Sequence, residues 1–338
     1  MASSKYTIAT LGSHSALQIL KGAKDEGFKT LAITTPGRTP LYKFYDNFID
    51  EVLEIPTWHD FPSIEKKLIS KNVILIPHGT FVASLGLKEN REMKVAYFGN
   101  KDVLDYEADR VKQRRWLEKA KIKVPRQFKR GDKIDRQVIV KSYGAAGGKG
   151  YFVATHQRDF DKKMKSYNEK KFMVQEYIIG VPLYFHFFYS PLTKRLEVMS
   201  IDNRYETNVD SLGRIPARNQ RGLNIEPSFE VVGNIPMTVR ESMLAEALAM
   251  ATRVVEMSQR LMPPRGLFGP FCLETIITSK EEIYIIEISA RIVAGTNCFI
   301  NGSPYTYLLY DEPMSTGRRI AREIKSAIKN KKLKFILN

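Results

Sequence analysis

Residues 273–288 read LETIITSKEEIYIIEI, two apolar runs rich in β-branched residues on either side of a polar turn. This pattern predicts a β-hairpin. If the hairpin is symmetric about Lys280 and Glu281, Glu274 and Glu287 face each other on one side, with Cβ atoms about 5 Å apart. Like charges in such a position destabilise each other, and a divalent cation between them would remove the conflict. Oxygen ligands suit Mg²⁺, or Mn²⁺ in its place, so the pair predicts a metal site next to nucleotide phosphates.

Two alternatives stay open at this hairpin. A shift of register by one residue would turn one glutamate toward solvent, because Lys280-Glu281 does not strongly fix the register of a turn. Arg291 follows four residues after Glu287, and its guanidinium suits a phosphate or an acyl phosphate. Its other role would be a simple ion pair with one of the two glutamates.

A second segment, KSYGAAGGKG at residues 141–150, has four glycines in its last seven residues and lysines at Lys141 and Lys149. Glycines let a backbone approach a ligand closely and turn its N–H groups toward an anion. The spacing is neither that of a Walker loop nor that of a dinucleotide fingerprint. Strand-like sequence on both sides predicts a glycine-rich hairpin that covers phosphates. The alternative is a surface hairpin without a ligand.

The first hundred residues alternate strand and helix patterns. An apolar run at 6–11, a helical pattern that stops at Gly27 and a second run at 29–34 predict a βαβ unit of a parallel sheet. A further strand is predicted at 73–77. This part of the chain therefore indicates a small doubly wound α/β lobe.

Two glycine-containing loops follow strands of this lobe, Gly12-Ser13-His14 and His78-Gly79-Thr80. The carboxyl ends of parallel strands meet at one edge of a sheet, and helix N-termini there favour anions. Together the two loops suit a ribose phosphate. For each histidine the alternative is a purely structural hydrogen bond.

The rest of the chain reads as mixed α+β, with helices and strands that can be bounded from the periodicity. The predicted helices are 105–121, 159–167, 238–261 and a last one from Ser315 or Thr316 to about Lys329, and the predicted strands are 137–141, 150–154 and 172–177. The predicted fold class is thus α/β and α+β in three lobes. They are a parallel α/β lobe at 1–100, a small α+β lid lobe at 101–182 and a mixed α+β lobe at 183–338 that carries the metal site.

Composition narrows the class of protein. The net charge of +16 is compatible with nucleic-acid binding, but the basic residues are dispersed and do not alternate with stacking aromatics, so we predict polyanionic small molecules as ligands and no nucleic acid. The most apolar stretch, 172–189, is interrupted by Gln175, Glu176 and His186 and predicts no membrane span. No signal peptide is evident, and two cysteines fit neither a metal site nor a disulfide framework. A cytoplasmic protein is expected.

The glycine-rich lysine hairpin, the strand end at Gln175-Glu176-Tyr177 and the Glu274…Glu287 pair resemble the ATP-grasp superfamily in type and order. More specific motifs look like the archaeal formate-dependent synthetases of purine biosynthesis, which make 5-formaminoimidazole-4-carboxamide ribonucleotide. Those motifs, spread over nearly the whole chain, are TLGSH at 10–14, IPHG at 76–79, KSYGAAGGKG at 141–150, VGNIP at 232–236 and EISARIVAGTN at 287–297.

The resemblance implies an ATP-grasp fold and a ligase that uses ATP, formate and 5-aminoimidazole-4-carboxamide ribonucleotide (AICAR). The residues it implies fall into four groups: for AICAR, His14, Thr80 and Asn234; for ATP, Lys141, Gly144, Gly147, Gly148, Lys149, Glu176, Tyr177, Ile178 and Glu206; for the metal, Glu274 and Glu287; and for catalysis, Lys141 and Arg291. It also implies a homo-oligomer.

The chain departs from the related patterns at two positions. The family has Ser after Pro-His-Gly, where this chain has Thr80, and the common superfamily metal motif Glu-x-Asn is replaced by Glu287-Ile288-Ser289. The first departure leaves the acceptor open, and three other functions stay open for the chain. They are an ATP-grasp ligase for a different carboxylate and amine, a non-catalytic ATP sensor and a basic RNA-binding protein.

Overall fold

The computed structural model describes residues 5–142, 151–168, 172–220 and 231–338, which form three β-sheets with helices around them. The first sheet is parallel, in the order β3-β2-β1-β4-β5. Its strands are β1 Thr7–Leu11, β2 Lys29–Thr34, β3 Glu51–Glu54, β4 Val73–Leu75 and β5 Ala96–Tyr97. Its helices are α1 Ala16–Asp25, α2 Thr39–Phe44, α3 Phe61–Ser70 and α4 Leu87–Glu92.

The strand order of the first sheet reverses between β1 and β4. At such a point the loops after the two strands diverge to opposite faces and leave a crevice between them. His14 follows β1, and His78 to Thr80 follow β4. The predicted βαβ unit is therefore confirmed, and both loops lie at this crevice.

The second sheet is antiparallel, in the order β6-β9-β7-β8, with one helix beside it. Its elements are β6 Gln127–Phe128, β7 Val138–Ser142, β8 Tyr151–Ala154, α7 Gln157–Met164 and β9 Phe172–Glu176. The helix predicted at 105–121 is wrong as a single element. It is two helices, α5 Lys101–Ala108 and α6 Arg110–Lys119, because Asp109 leaves helical geometry and accepts hydrogen bonds from Val111 and Lys112 N–H as the cap of α6.

The third sheet is antiparallel, in the order β12-β11-β10-β13-β14. Its strands are β10 Val181–Ser190, β11 Arg195–Glu206, β12 Val231–Met237, β13 Gly269–Ile277 and β14 Ile283–Ser289. The helices of this part are α8 Thr207–Leu212, α9 Ala217–Gln220, α10 Glu241–Leu261, α11 Pro304–Tyr310 and α12 Thr316–Lys329. The predicted long helix and the last helix, with Ser315 as its cap, are confirmed.

The two faces of the third sheet differ sharply in chemistry. Side chains alternate between faces along a strand, so every second residue belongs to the same face. One face is apolar and packs with α6 and α10 in a core that includes Phe185, Phe187, Leu273, Ile288 and Trp116. The other face carries polar side chains, namely Tyr184, His186, Ser200, Asp202, Arg204, Cys272, Glu274, Glu287 and Ser289. Several of these polar groups pair with one another, such as Arg204 with Glu274 and His186 with Asp202.

The end of the chain returns to the first sheet. Helix α12 crosses α1 where two glycines permit the helix axes to approach closely. A Cβ on Gly22 would lie 2.2 Å from the Arg318 nitrogen, and one on Gly317 would lie 2.3 Å from the Gln18 oxygen. Either substitution would push the helices apart. This contact holds the start of α1, with the His14 loop before it, beside the third sheet.

Across the described ranges, no helix combines the length and the apolar character that crossing a bilayer requires.

Candidate active site

Glu274 and Glu287 are directly opposite each other in the β13–β14 ladder, as predicted. The pairing does not arise from the symmetric hairpin that the sequence predicted. Near the turn the pairing is Ile277 with Ile283, which centres the hairpin on Lys280 alone. A bulge between the Thr275 and Glu274 pairings leaves Ile286 unpaired and shifts the register by one residue. Without that extra residue, Glu274 would lie opposite Ile286.

The two carboxylates have different surroundings. Glu274 Oε1 accepts hydrogen bonds from Arg204 Nη2 at 2.8 Å and from Ser289 Oγ at 2.9 Å. Burial alone would raise the pKa of Glu274, but the Arg204 charge and these bonds outweigh it and hold the pKa below its usual range. Burial and then the charge of Glu274 raise the pKa of Glu287 to about 7. Glu274 therefore has a hydrogen-bonded cation, whereas the charges near Glu287 do not outweigh burial and the repulsion from Glu274.

A divalent cation fits this arrangement. The donors are oxygens only, and the charge of the cation would relieve the repulsion that raises the pKa of Glu287. Over the described ranges, no group of three or more His, Cys, Asp or Glu side chains could hold a metal ion. Mg²⁺ is commonly held by one or two carboxylates together with substrate phosphates and waters, so a two-carboxylate site suits it.

Positive side chains lie near Glu287. Lys141, at the end of β7, is largely buried, and burial followed by the charge of Arg110 lowers its pKa, while the two glutamates oppose this. The charge of Arg110 also acts on Glu287. Sequence reasoning missed Arg110. The single helix predicted at 105–121 places Arg110 in its interior, so no pattern in the sequence marked this residue as the start of a helix.

The other residues expected to contact ATP lie in several parts of the structure. Glu206 lies close enough to Glu274 for their charges to interact. Burial, together with the charges of Asp210 and Glu274, raises the pKa of Glu206 to about 7. The Glu176 carboxylate is held within the second sheet by Arg136 Nη1 at 3.0 Å. Tyr177 N–H donates to Gln137 at 2.9 Å, and Ile178 is half-buried. Gly144, Gly147, Gly148 and Lys149 lie outside the described residues.

The crevice of the first sheet brings His14 and Thr80 together. His14 Nδ1 and Thr80 Oγ1 are 2.9 Å apart, so the threonine hydroxyl makes this bond in spite of the extra methyl group. His14 adopts a left-handed backbone conformation, with φ of 42°, which directs the chain from β1 into the loop before α1. Burial, then the charges of Arg291 and Arg38, lower the pKa of His14 and keep it neutral.

His78, in contrast, has a structural role. Its ring is fully buried, its Nε2 lies 2.8 Å from the Leu11 carbonyl oxygen, and its Nδ1 accepts a hydrogen bond from Thr80 N–H at 3.3 Å. Both ring nitrogens are thus used within the first lobe, and the ring is neutral with the proton on Nε2. Burial lowers the pKa of His78 to about 3.

This burial predicts a dependence of stability on pH. The unfolded chain takes up a proton on His78 below its ordinary pKa of 6.5, whereas the folded protein does so only near 3. The free energy of unfolding is therefore complete above pH 6.5 and falls as the pH drops toward 3, by at most about 1.4 kcal/mol per pH unit from this group. We expect His78→Gln to have a lower free energy of unfolding than wild type at pH 7.5. On acidification its free energy of unfolding should fall less than that of wild type. Urea denaturation of both proteins at pH 7.5, 5.5 and 4.5 tests this, and parallel losses would contradict it.

Arg291 lies close to the crevice of the first sheet, and its charge also acts on Glu274 of the carboxylate pair. The sequence left open an ion pair with Glu274 or Glu287, but its Nη2 instead bonds Glu107 Oε1 at 2.8 Å. The guanidinium lies over Gly79, where a Cβ would be 3.4 Å from Cζ. Its Nε is buried and has no hydrogen-bond partner among the described residues. The arginine is thus held from one side and retains a donor for an anion.

Glu107 was not recognised in the sequence because it lies within a charged helical segment that resembles a solvent-exposed face. The structure buries it, and it accepts from Ala290 N–H at 2.7 Å as well as from Arg291. Burial raises its pKa in spite of the neighbouring guanidinium. Glu107 therefore orients the segment that carries Arg291.

Asn234, on β12, is connected to the His14 loop through the turn that follows β14. Cys298 Sγ donates to the Asn234 carbonyl oxygen at 3.4 Å, and the neighbouring Asn297 donates through Nδ2 to the His14 carbonyl oxygen at 3.2 Å. The short helical turn Ala294–Phe299 thus joins Asn234 to the His14 loop. Gln18 fixes this turn from α1, with bonds of 3.1 Å to Thr296 and 3.2 Å to Asn297.

A parallel α/β sheet, an antiparallel lid sheet and a third sheet with paired carboxylates on its polar face form the architecture of the ATP-grasp enzymes, and the predicted fold is confirmed. The crystal structure of an IMP biosynthesis protein PurP from Thermococcus kodakaraensis matches with a TM-score of 0.79 and 31% identity, over 98% of this chain and 100% of that one. An ADP complex of purK, N5-carboxyaminoimidazole ribonucleotide synthetase, shares the fold with a TM-score of 0.65 and 15% identity, over 94% of this chain and 76% of that one.

Two relatives are each named 5-formaminoimidazole-4-carboxamide-1-(beta)-D-ribofuranosyl 5'-monophosphate synthetase. The protein from Pyrococcus horikoshii is 53% identical over 337 residues, and that from Saccharolobus solfataricus is 47% identical over 338, in both cases over 98% of this chain and 99% of the relative. The chain belongs to this family of synthetases. Two family profiles also match, a protein of unknown function (DUF1246) at 8–128 and a domain of unknown function (DUF1297) at 155–338.

Proposed function

We propose that the protein is an ATP-dependent C–N ligase that formylates AICAR with formate, through formyl phosphate, in the synthesis of IMP. The products are 5-formamidoimidazole-4-carboxamide ribonucleotide, ADP and phosphate. The observation that carries this function is the position of Arg291. It lies against Gly79 of the nucleotide crevice, and its charge also acts on Glu274 of the carboxylate pair. An activated acyl group made at the pair would thus form beside the acceptor.

Residues 1–100 would bind the acceptor nucleotide, residues 101–182 would cover ATP, and residues 183–338 would hold the metal ion. Glu274 and Glu287 would hold Mg²⁺, or Mn²⁺ in its place, which when bound offsets the negative charge of the ATP phosphates. Lys141 and Arg110 add positive charge beside the same phosphates. Glu206 and the segment 176–178 would contact the ribose and adenine. Because Arg136 already holds the Glu176 carboxylate, that segment would use its backbone or the neighbouring side chains.

The first chemical step is phosphoryl transfer. A formate oxygen attacks the γ-phosphorus of ATP, the bond to the β-phosphate oxygen breaks, and ADP leaves with formyl phosphate formed. Little covalent help is needed from the protein, because positioning and electrostatic stabilisation dominate such transfers. Lys141 and Arg291 supply fixed positive charge on two sides of the transferring group.

In the second step the ring amine of AICAR attacks the formyl carbon, phosphate leaves, and the amine loses one proton. His14 is kept neutral by its burial and by nearby arginines, so it can accept a hydrogen bond from the nucleotide without adding positive charge. Thr80 fixes the ring orientation through Nδ1. Arg291 holds the phosphate end of formyl phosphate and so presents its carbon to the amine.

The decisive test is release of ADP from ATP and Mg²⁺ in four mixtures: with formate and AICAR, with either alone, and with neither. We expect rapid release only when both are present, with one formylated nucleotide for each ADP by mass spectrometry. Release with another carboxylate or amine, but not with this pair, would indicate a different ligase. ATP binding without release in any mixture would indicate a sensor.

We further propose that the protein is a cytoplasmic homo-oligomer that acts on small molecules and not on nucleic acid. Exposed apolar side chains on α11, with Leu308 84% exposed and Tyr307 59% exposed, offer a surface for subunit contact. Light scattering coupled to size exclusion measures the assembly. A salt-sensitive affinity for RNA would contradict the exclusion of nucleic acid.

A further inference from the structure

Asp202 is a buried carboxylate on the polar face of the third sheet, and neither sequence motif nor predicted role had singled it out. Its side chain is 1% exposed, and that of His186 is 2% exposed. Asp202 Oδ1 lies 2.5 Å from His186 Nε2, and Asp202 Oδ2 accepts from Asn234 Nδ2 at 2.7 Å. A buried charge is costly unless it is paired and hydrogen-bonded, and here both oxygens are used.

The His186 side chain makes no second hydrogen bond to any of the described residues. His186 Nδ1 is buried and has no hydrogen-bond partner among them. A buried polar atom without a partner costs free energy, so its retention requires a compensating role for the ring. Its one side-chain hydrogen bond to a described residue is to Asp202. The imidazole therefore holds one carboxylate oxygen in place and leaves the other directed at Asn234.

The bond to Asp202 determines how the Asn234 amide is turned. A carboxylate only accepts hydrogen bonds, so the amide must direct its NH₂ group at Asp202. The opposite orientation would place two oxygens against each other. The side-chain carbonyl oxygen of Asn234, Oδ1, is therefore turned away from Asp202, and within the described part of the chain it receives no hydrogen bond. It is an acceptor available to a ligand.

Asn234 also lies where the acceptor nucleotide is proposed to bind. The turn Ala294–Phe299 bonds both the Asn234 backbone and the His14 backbone. That turn packs directly onto Asp202, because a Cβ on Gly295 would lie 2.2 Å from Asp202 Oδ1. Asp202 thus contacts both the side chain and the backbone segment that border this part of the crevice.

We propose that Asp202, held by His186, is a positioning residue that turns the Asn234 carbonyl oxygen toward an N–H group of the acceptor nucleotide. This inference rests on the proposed function and adds the basis of its specificity. AICAR carries an amine and a carboxamide, both N–H donors, whereas a nucleotide with only acceptors at that position would meet the carbonyl oxygen with repulsion. A site built to hydrogen-bond a substrate N–H rejects analogues that lack it.

The test uses the full-length protein and isothermal titration with AICAR in the absence of ATP, together with steady-state kinetics. In Asp202→Asn, the residue at 202 can donate as well as accept, so the Asn234 amide is free to turn its NH₂ toward the nucleotide. We expect the Kd and KM for AICAR to rise about tenfold or more, with the KM values for ATP and formate within about twofold of wild type. Asp46→Asn, an exposed change that removes the same charge, serves as the control and should bind normally.

The exchanged pair, Asp202→Asn with Asn234→Asp, separates orientation from simple loss of structure. The amide at 202 then donates to the carboxylate at 234, which presents only acceptor oxygens to the nucleotide. We expect AICAR affinity to return to within about threefold of wild type. Asn234→Asp alone places two carboxylates together and should bind AICAR more weakly than Asp202→Asn or the exchanged pair.

The outcomes distinguish this inference from the proposed function. If wild type does not bind AICAR, the proposed function fails and this inference fails with it. If wild type binds AICAR but Asp202→Asn binds equally well, or if the exchanged pair is no better than Asp202→Asn, this inference alone is overturned. Should Asp202→Asn not fold, His186→Gln decides, because it frees Asp202 without altering Asn234. A selective rise in the KM for AICAR supports the role, and an unchanged KM refutes it.

Discussion

Glu287→Gln is expected to lower kcat by about a thousandfold or more, because the amide cannot supply the negative charge that holds a divalent cation against Glu274. The change keeps the size of the side chain. It also removes a carboxylate that repels Glu274, and that repulsion is one reason the pKa of Glu287 rises to about 7. The folded protein should therefore be at least as stable as wild type without metal, and the loss should be confined to turnover. ADP release at saturating ATP, formate and AICAR measures it.

A matched control lies in the same hairpin. Glu282 is at the turn, where its exposed carboxylate bonds Lys123 Nζ at 2.6 Å, far from the paired strands' polar face. Glu282→Gln should keep kcat within about twofold, because exposed ion pairs contribute little. Near-normal activity of Glu287→Gln would show that the metal assignment is wrong. Loss of activity in both variants would point instead to damage to the hairpin.

Arg291→Lys is expected to lower kcat by about a hundredfold and to uncouple the two chemical steps. Lysine keeps the charge but not the planar fork, so it cannot bond Glu107 and an anion at the same time in the geometry of arginine. Formyl phosphate held less firmly would escape to water before the amine attacks. We therefore expect more than one ADP per formylated nucleotide, whereas wild type should give one.

The ratio of ADP to product is the informative measurement, because a variant that is merely less stable would lose both together. Arg240→Lys is the control, since Arg240 is an exposed arginine paired with Glu281. It should retain both the rate and the ratio. If Arg291→Lys kept a ratio of one at a reduced rate, Arg291 would contribute to phosphoryl transfer only and not to retention of the intermediate.

Several features followed from the sequence because they depend on neighbours along the chain. Apolar runs rich in β-branched residues predicted the strands at 273–277 and 283–288, and the apolar run at 29–34 matched β2 residue for residue. The pairing of Glu274 with Glu287 was predicted correctly, but only because two differences from the assumed hairpin cancel each other. The turn is centred one half-residue away from the assumed axis, and the unpaired Ile286 restores the register. A bulge depends on the fit of two strands, so local pattern does not reveal it.

The break at Asp109 shows a second limit. The charged pattern across 105–121 predicts one helix, whereas in the structure the side chain of Asp109 caps a second helix that begins at Arg110. Propensity along the chain is similar for one helix or two. Burial of Glu107 on one half and of Trp116 on the other decides between them.

By itself the sequence determined the parallel first lobe, the strands that carry the paired glutamates, and the loops that carry His14 and Thr80 at the strand ends, since short-range periodicity and turn chemistry encode all of these. Only the tertiary structure decided that Arg291 pairs with Glu107, that His78 is structural, and that Asp202 and His186 orient Asn234. Those contacts join residues far apart in the chain, such as Glu107 and Arg291 or Asp202 and Asn234. Their energies depend on burial and on partners that exist only once the sheets have packed together.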